Sequence, residues 1–162
     1  MKIKKGDILP ESELFYLDEN KTVKKINTKL LFKNQKVIVF GLPGAFTAVC
    51  SAKHLPGFIK NYEEAKKKGV TKIICISVND PFVMKAWGDL HNVKDKILMV
   101  GDPFCKYIKE IGADVDKSEK GLGIRSSRFT MLVENSIIKE IKEEKDTASC
   151  EISAAENFLK EI

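Results

Sequence analysis

The chain predicts an α/β fold with a mixed central sheet flanked by helices, and three observations carry that expectation. Lys36–Phe40 and Thr71–Val78 are near-continuous apolar runs rich in Val and Ile, the pattern of strands covered on both faces. Helix signals alternate with them: Thr47–Lys68 is closed by Gly69, and Asp80-Pro81 is a cap followed by proline at the first helical position. Phe129–Glu134 and Ile137–Ile141 then alternate around Asn135-Ser136, as a hairpin does. Strand, helix, strand, helix, then a hairpin and a last helix is the order of a layered α/β sandwich.

In chain order, Leu14–Leu17 and Thr22–Ile26 flank Asp18-Glu-Asn-Lys21 and predict an N-terminal hairpin. Lys36–Phe40 is the first central strand. The helix from Thr47 to Lys68 is expected to break near Pro56-Gly57. Thr71–Val78 is the second central strand, and the Asp80-capped helix runs to about Leu90. Lys96–Val100 predicts a third strand and Phe104–Ile111 a short helix. Asp114–Ile124 is polar and contains glycine, so it predicts a loop. Ile152–Ile162 closes the chain as a helix. There is no internal repeat, low-complexity tract or Pro/Gly/Ser linker, so residues 1–162 are expected to form a single domain.

Composition narrows the function classes. Hydrophobic residues make up 43% and charged residues 31% of the chain, a balance that fits a globular core. No apolar run approaches the ~20 residues that a membrane span requires. The start, Met1-Lys-Ile-Lys-Lys-Gly-Asp, lacks the apolar stretch of a secretory signal. The net charge of +5 comes from lysines interleaved with acids, as in Lys139-Glu-Ile-Lys-Glu-Glu-Lys145, with no aromatic-basic reading motif. That argues against nucleic-acid binding. Cys50, Cys75, Cys105 and Cys150 form no C-x-x-C pair, and His54 and His91 are not at zinc-ligand spacing with them, so no metal is expected. A domain of this size does not depend on disulfides, which points to free thiols in a reducing compartment, cytoplasmic or organellar.

The chemistry concentrates at Cys50. The strand ends at Gly41, a Pro43-Gly44 turn follows, and Thr47 stands three residues before a cysteine in the first turn of a helix. Unpaired backbone N–H groups and the positive end of the helix dipole meet a thiol placed there, an environment that favours a thiolate. Arg125 and Arg128 are the only two arginines of a lysine-rich chain, where a rigid, always-charged fork has a use that lysine cannot fill. His54 lies four residues after Cys50, placed to pack or to bond backbone rather than to act as a base. Trp87 is expected as a core or interface aromatic.

Pro43-Gly-Ala-Phe-Thr-Ala-Val-Cys50-Ser, His54-Leu-Pro-Gly-Phe58, Ser77–Trp87 and Gly121–Phe129 together resemble the type II (atypical, peroxiredoxin 5-like) peroxiredoxins, with the last two segments closest to the plant-type branch. The likeness runs from about Gly6 to the C-terminus. It implies a thioredoxin-like fold with an N-terminal β-hairpin extension, and a thiol peroxidase that needs no cofactor. On the resemblance, Cys50 is the peroxidatic cysteine and Thr47 the threonine whose hydroxyl bonds thiolate and peroxide. Pro43 is then the proline that shields the sulfur, and Arg128 the arginine that stabilises the thiolate. Backbone N–H groups at Val49 and Cys50 are expected to bind the peroxide oxygens. Ala48 stands where the family usually has a second proline, and Val49 where it has a small or polar residue, which bears on the shape of the pocket.

The product of peroxide attack is a sulfenic acid on Cys50, and two ways of resolving it stay open. Glutathione or glutaredoxin attacks it directly, which the plant-type likeness favours; or Cys150 or Cys75 forms an intramolecular disulfide that thioredoxin reduces. Cys75 has the apolar neighbours of a buried strand, and Cys150 lies in a polar stretch of mobile appearance. The resemblance further implies a homodimer joined around the active-site loops and the Pro81–Trp87 region. A thiol–disulfide oxidoreductase and a non-catalytic chaperone or binding module are the rival classes; the missing C-x-x-C argues against the first.

Overall fold

The structure is a computed structural model that describes residues 1–162. Its centre is a seven-stranded mixed sheet of β1 (Glu13–Leu17), β2 (Val23–Asn27), β3 (Lys36–Gly41), β4 (Lys72–Ser77), β5 (Leu98–Gly101), β8 (Phe129–Glu134) and β9 (Ile137–Glu143). The strand order is β2-β1-β5-β4-β3-β8-β9. β3, β4 and β5 are parallel neighbours, and every other pairing is antiparallel. This is the thioredoxin-like arrangement, with the β1–β2 hairpin added at one edge. No helix is long and apolar enough to cross a membrane.

Alternation along the central strands sorts the side chains into two cores. Ile38, Phe40, Ile73 and Cys75 point to one face and pack with Phe58, Met84, Trp87 and Phe158. Val37, Val39, Ile74 and Ile76 point to the other and pack with Phe32, Tyr107, Ile108 and Met131. The helices on the first face are α2 (Leu55–Lys60), α3 (Tyr62–Lys67), α4 (Pro81–Leu90) and α6 (Ala155–Leu159); α1 (Thr28–Phe32) and α5 (Lys106–Glu110) lie on the second. Asp80 caps α4 by accepting the Val83 N–H at 2.9 Å, with Pro81 at the first helical position as the sequence predicts. Asn135 and Ser136, at φ 49° and 69°, make the tight β8–β9 turn, whose two positive-φ residues give it a twist that matches the right-handed twist of the strands.

Four expectations need correction. The helix after β3 does not break at Pro56-Gly57. It widens to a π-helical turn over Cys50–His54, where the Leu55 N–H reaches the Cys50 carbonyl, so Pro56 enters just after a loosened turn. The break falls at Asn61, whose backbone and side-chain N–H groups both bond the Gly57 carbonyl. The 114–124 loop is instead a small antiparallel sheet, β6 (Asp114–Asp116) against β7 (Ile124–Ser126), enclosing a 3₁₀ turn at Ser118–Lys120. The third central strand begins at Leu98 rather than Lys96, and the last helix is confined to Ala155–Leu159. The sequence reading also lacks α1, a single short helix capped by the Asn27 side chain.

Candidate active site

The loop after β3 carries Pro43 to Val49 into the helix start. Three polar contacts fix it. The Ala45 N–H bonds Asn79 Oδ1 at 3.0 Å, Ser77 Oγ donates to the Leu42 carbonyl at 3.2 Å, and Arg125 Nη1 donates to the Pro43 carbonyl at 3.3 Å. A Cβ at Gly44 would lie 3.0 Å from Arg125 Nη1 and 3.2 Å from Thr47 Cγ2, so a larger residue there would press on both side chains. Phe46 follows at φ 64°, a left-handed conformation unusual for a bulky residue, and its ring is 55% exposed.

Cys50 opens the π-helical turn and is completely buried. Arg128, the last residue of the β7–β8 connection before β8, is 1% exposed and brings Nη2 to 3.4 Å from Cys50 Sγ. The same Nη2 donates to the Thr147 carbonyl at 2.9 Å, and Nη1 donates to His54 Nδ1 at 3.2 Å. His54 Nε2 faces the Ser153 carbonyl at 3.2 Å and Thr130 Oγ1 at 3.3 Å, while Thr130 Oγ1 donates to that carbonyl at 2.7 Å. With Nδ1 accepting from Arg128, the proton of the neutral ring sits on Nε2. Burial, and then the charge of Arg128, push the imidazole down to about 3. His54 therefore packs and bonds backbone, and it also holds the guanidinium. Glu144 Oε1 continues the network by accepting the Glu151 and Ser153 N–H groups and Ser153 Oγ.

A cavity of about 250 Å³ adjoins this network. Pro43, Thr47, Val49 and Arg128 line it on one side, Thr147 and Lys117 on another. The structure thus brings together all four residues singled out from the sequence: Cys50, Thr47, Pro43 and Arg128. The Thr47 hydroxyl donates to the Gly44 carbonyl at 2.8 Å rather than to Cys50 Sγ, which leaves its oxygen lone pairs as acceptors toward the cavity rim.

The other thiols are free. Cys75 is buried in β4, and its thiol is pushed well above the ordinary value by burial and next by the charge of Cys50. Cys150 is half-buried and also raised, by burial first, with Arg128 acting in the opposite direction. Its stretch is not loose as its polarity suggests: Asp146 Oδ1 accepts the Ala148 and Ser149 N–H groups, and Glu144 accepts that of Glu151. Cys105 is buried at φ 54° against Asp102, beside β5 rather than at the Cys50 cavity.

The Redoxin family matches residues 4–159. Over 157 residues, 97% of this chain and 96% of the other, the sequence is 41% identical to Peroxiredoxin-2D of Arabidopsis thaliana. The chain is a type II, plant-type peroxiredoxin. As a member it is a thiol peroxidase with a thioredoxin-like fold. It is similar to reduced Prx3 of Vibrio vulnificus, solved in complex with H2O2, at a TM-score of 0.92 and 38% identity over 98% of each chain. It is also similar to the Plasmodium falciparum antioxidant protein, a 1-Cys peroxiredoxin, at a TM-score of 0.91 and 32% identity, covering 99% of this chain and 100% of that one.

Two supporting residues are absent from the sequence reading. Arg125 is present there only as an arginine in a lysine-rich chain, with no role; the structure puts it on the Pro43 carbonyl. Asn79, which holds Ala45 and accepts from Ser77 Oγ, gave no signal beyond its place before the Asp80 cap.

Proposed function

We propose that this peroxiredoxin reduces hydrogen peroxide and alkyl hydroperoxides through Cys50, and that glutathione or glutaredoxin resolves the product. The observation that carries the reading is Arg128 Nη2 at 3.4 Å from Cys50 Sγ, on a guanidinium fixed by two further acceptors beside the Pro43–Thr47 cavity. Cys50 sulfur, as thiolate, attacks the terminal peroxide oxygen. The S–O bond forms as the O–O bond breaks, and the departing alkoxide or hydroxide takes a proton to leave as alcohol or water. Arg128 and the backbone N–H groups of Val49 and Cys50 stabilise the charge that moves from sulfur to oxygen. Thr47, with its own proton held by Gly44, accepts the hydrogen of the peroxide. Pro43 walls the cavity.

The sulfenic acid on Cys50 is then attacked by an external thiol, which forms a mixed disulfide and releases water; a second thiol frees Cys50. Two features support an external reductant over an internal cysteine. Cys75 is sealed in the sheet, where its thiol is held protonated, and the Cys150 stretch is pinned by two carboxylates. The same reading takes residues 1–162 as one domain in a reducing compartment, and as a homodimer. The 55% exposed Phe46 and the 57% exposed Phe82, on the active-site loop and on α4, support the dimer surface.

Peroxide consumption measured separately with glutathione plus glutaredoxin and with thioredoxin tests the proposal. Turnover with the first and little with the second is expected. Turnover with thioredoxin alone, abolished by Cys150→Ser or Cys75→Ser, would overturn the external route.

A further inference from the structure

The Ser118–Lys120 turn and the residue before it place two lysines on the cavity that is lined by Arg128, the partner of the buried Cys50 sulfur. Lys117 is the residue before this 3₁₀ turn and Lys120 is its last residue. Both line the cavity with Arg128 and Leu122. Their backbone is tightly held: the Lys117 N–H bonds the Gly123 carbonyl at 2.8 Å, and the Lys117 carbonyl accepts from Lys120 at 3.0 Å and Leu122 at 3.2 Å.

Their ammonium groups, in contrast, have no partner. Neither takes part in any ion pair or hydrogen bond of the molecule, although eleven ion pairs form elsewhere. No Asp or Glu lines the cavity. Asp146 lies within the field of Lys117, but its Oδ1 is occupied by the Ala148 and Ser149 N–H groups. Arg128, buried and lining the same space, also keeps its Nε–H without an acceptor. Three cations thus border one cavity with no carboxylate in its lining.

We propose that Lys117 and Lys120 form a carboxylate-binding subsite that selects negatively charged ligands for Cys50. The inference rests on the proposed peroxidase site and adds the class of ligand. A carboxylate can arrive in two ways: on a hydroperoxide that bears one, or on glutathione, which bears two. In the first case the lysines hold the carboxylate while the peroxide end reaches the sulfur. In the second they hold the tripeptide while its thiol attacks the Cys50 sulfenic acid and water leaves. A half-buried and an exposed lysine at a cavity act by steering and orienting, so their effect weakens with salt.

The test compares wild type with the Lys117→Glu/Lys120→Glu double variant. In one arm, without any thiol, Cys50 oxidation is followed by stopped flow with tert-butyl hydroperoxide and with linoleic acid hydroperoxide. In the other, the sulfenic acid formed by hydrogen peroxide is reduced by glutathione or by its diethyl ester, which lacks both carboxylates. The readout in each arm is the ratio of the rate constant of the carboxylate-bearing ligand to that of the ligand without a carboxylate. A fall in that ratio of about tenfold, shrinking between low and high salt, supports the subsite. The arm in which it falls identifies the ligand. Ratios unchanged in both arms overturn the proposal. Failure of wild-type Cys50 to react with either tert-butyl hydroperoxide or hydrogen peroxide would instead overturn the peroxidase reading beneath it.

Discussion

Arg128 and the Lys117–Lys120 turn both place positive charge at one cavity, yet they are built in opposite ways. Arg128 is buried and held by His54 Nδ1 and the Thr147 carbonyl, so its fork stays in place whether or not a ligand is present. The lysines sit on a rigid backbone turn but their charges are unpaired. A charge that stabilises a transition state is most effective when it is already oriented. A charge that gathers ligands works from the rim and tolerates freedom. The contrast separates a fixed region, proposed to do chemistry, from a looser one, proposed to choose what reaches it.

The largest expected effect comes from removing the sulfur. Cys50→Ser should lower peroxide turnover about a thousandfold or more, while circular dichroism stays that of the wild type. Retained turnover would place the reaction at another thiol. Next is Arg128→Lys, which keeps the charge but loses the fork shared between sulfur, Thr147 and His54. Removing one oriented donor from a charge-developing site costs on the order of 10²-fold in rate. A stopped-flow rate constant within twofold of wild type would mean that the fork does no chemical work.

His54 sharpens the same comparison. His54→Gln removes the ring acceptor that aims Nη1, and a loss of roughly tenfold in the peroxide rate is expected, smaller than for Arg128→Lys because the Thr147 contact remains. A second reading comes from pH. The folded-state value of about 3 lies below the ordinary 6.5, so the unfolded chain binds the extra proton. The stability this group contributes is therefore complete above 6.5 and is lost as pH falls toward 3. By pH 4 the wild type should have lost about 3 kcal/mol more than His54→Gln does. Parallel denaturation curves at pH 7 and pH 4 measure this, and equal losses would contradict a buried neutral imidazole.

Smaller effects belong to the supports. Glu144→Ala leaves the Glu151 and Ser153 N–H groups without their acceptor and should cost about 1–3 kcal/mol in urea denaturation. It should also raise the peptide-level hydrogen exchange of residues 147–153. Trp87→Phe removes the 3.0 Å bond from the indole to Ser51 Oγ and leaves part of the ring's space empty in the core, and should cost about 1–3 kcal/mol while leaving the peroxide rate near the wild-type value.

Much of the fixed region was legible in the chain. The β3 run, the Pro43-Gly44 turn, the Thr47–Cys50 spacing and the Asp80-Pro81 cap are local signals, and each lies where the structure has it. The motif containing Arg128 singled out a residue that the structure places beside Cys50, but the way it is held did not show. Arg128 meets Cys50 and His54 across 78 and 74 residues of sequence, and no local pattern encodes such contacts. The π-helical turn was hidden because its residues have ordinary helical character. The looser region was illegible as structure: β6 and β7 have three residues each, too short for alternation to register, and Lys117 and Lys120 read as two more solvated lysines. Arg125 left only the trace of its residue type, since its partner is a backbone carbonyl.

The central claim is that Cys50 is the sulfur that peroxide oxidises and that no internal thiol resolves it. Mass spectrometry after one equivalent of hydrogen peroxide, with dimedone present to trap sulfenic acid, addresses it most directly. The expected main product is a dimedone adduct on the Cys50 peptide. Adducts on Cys75, Cys105 or Cys150 instead, or a Cys50–Cys150 or Cys50–Cys75 disulfide as the main species, would contradict it.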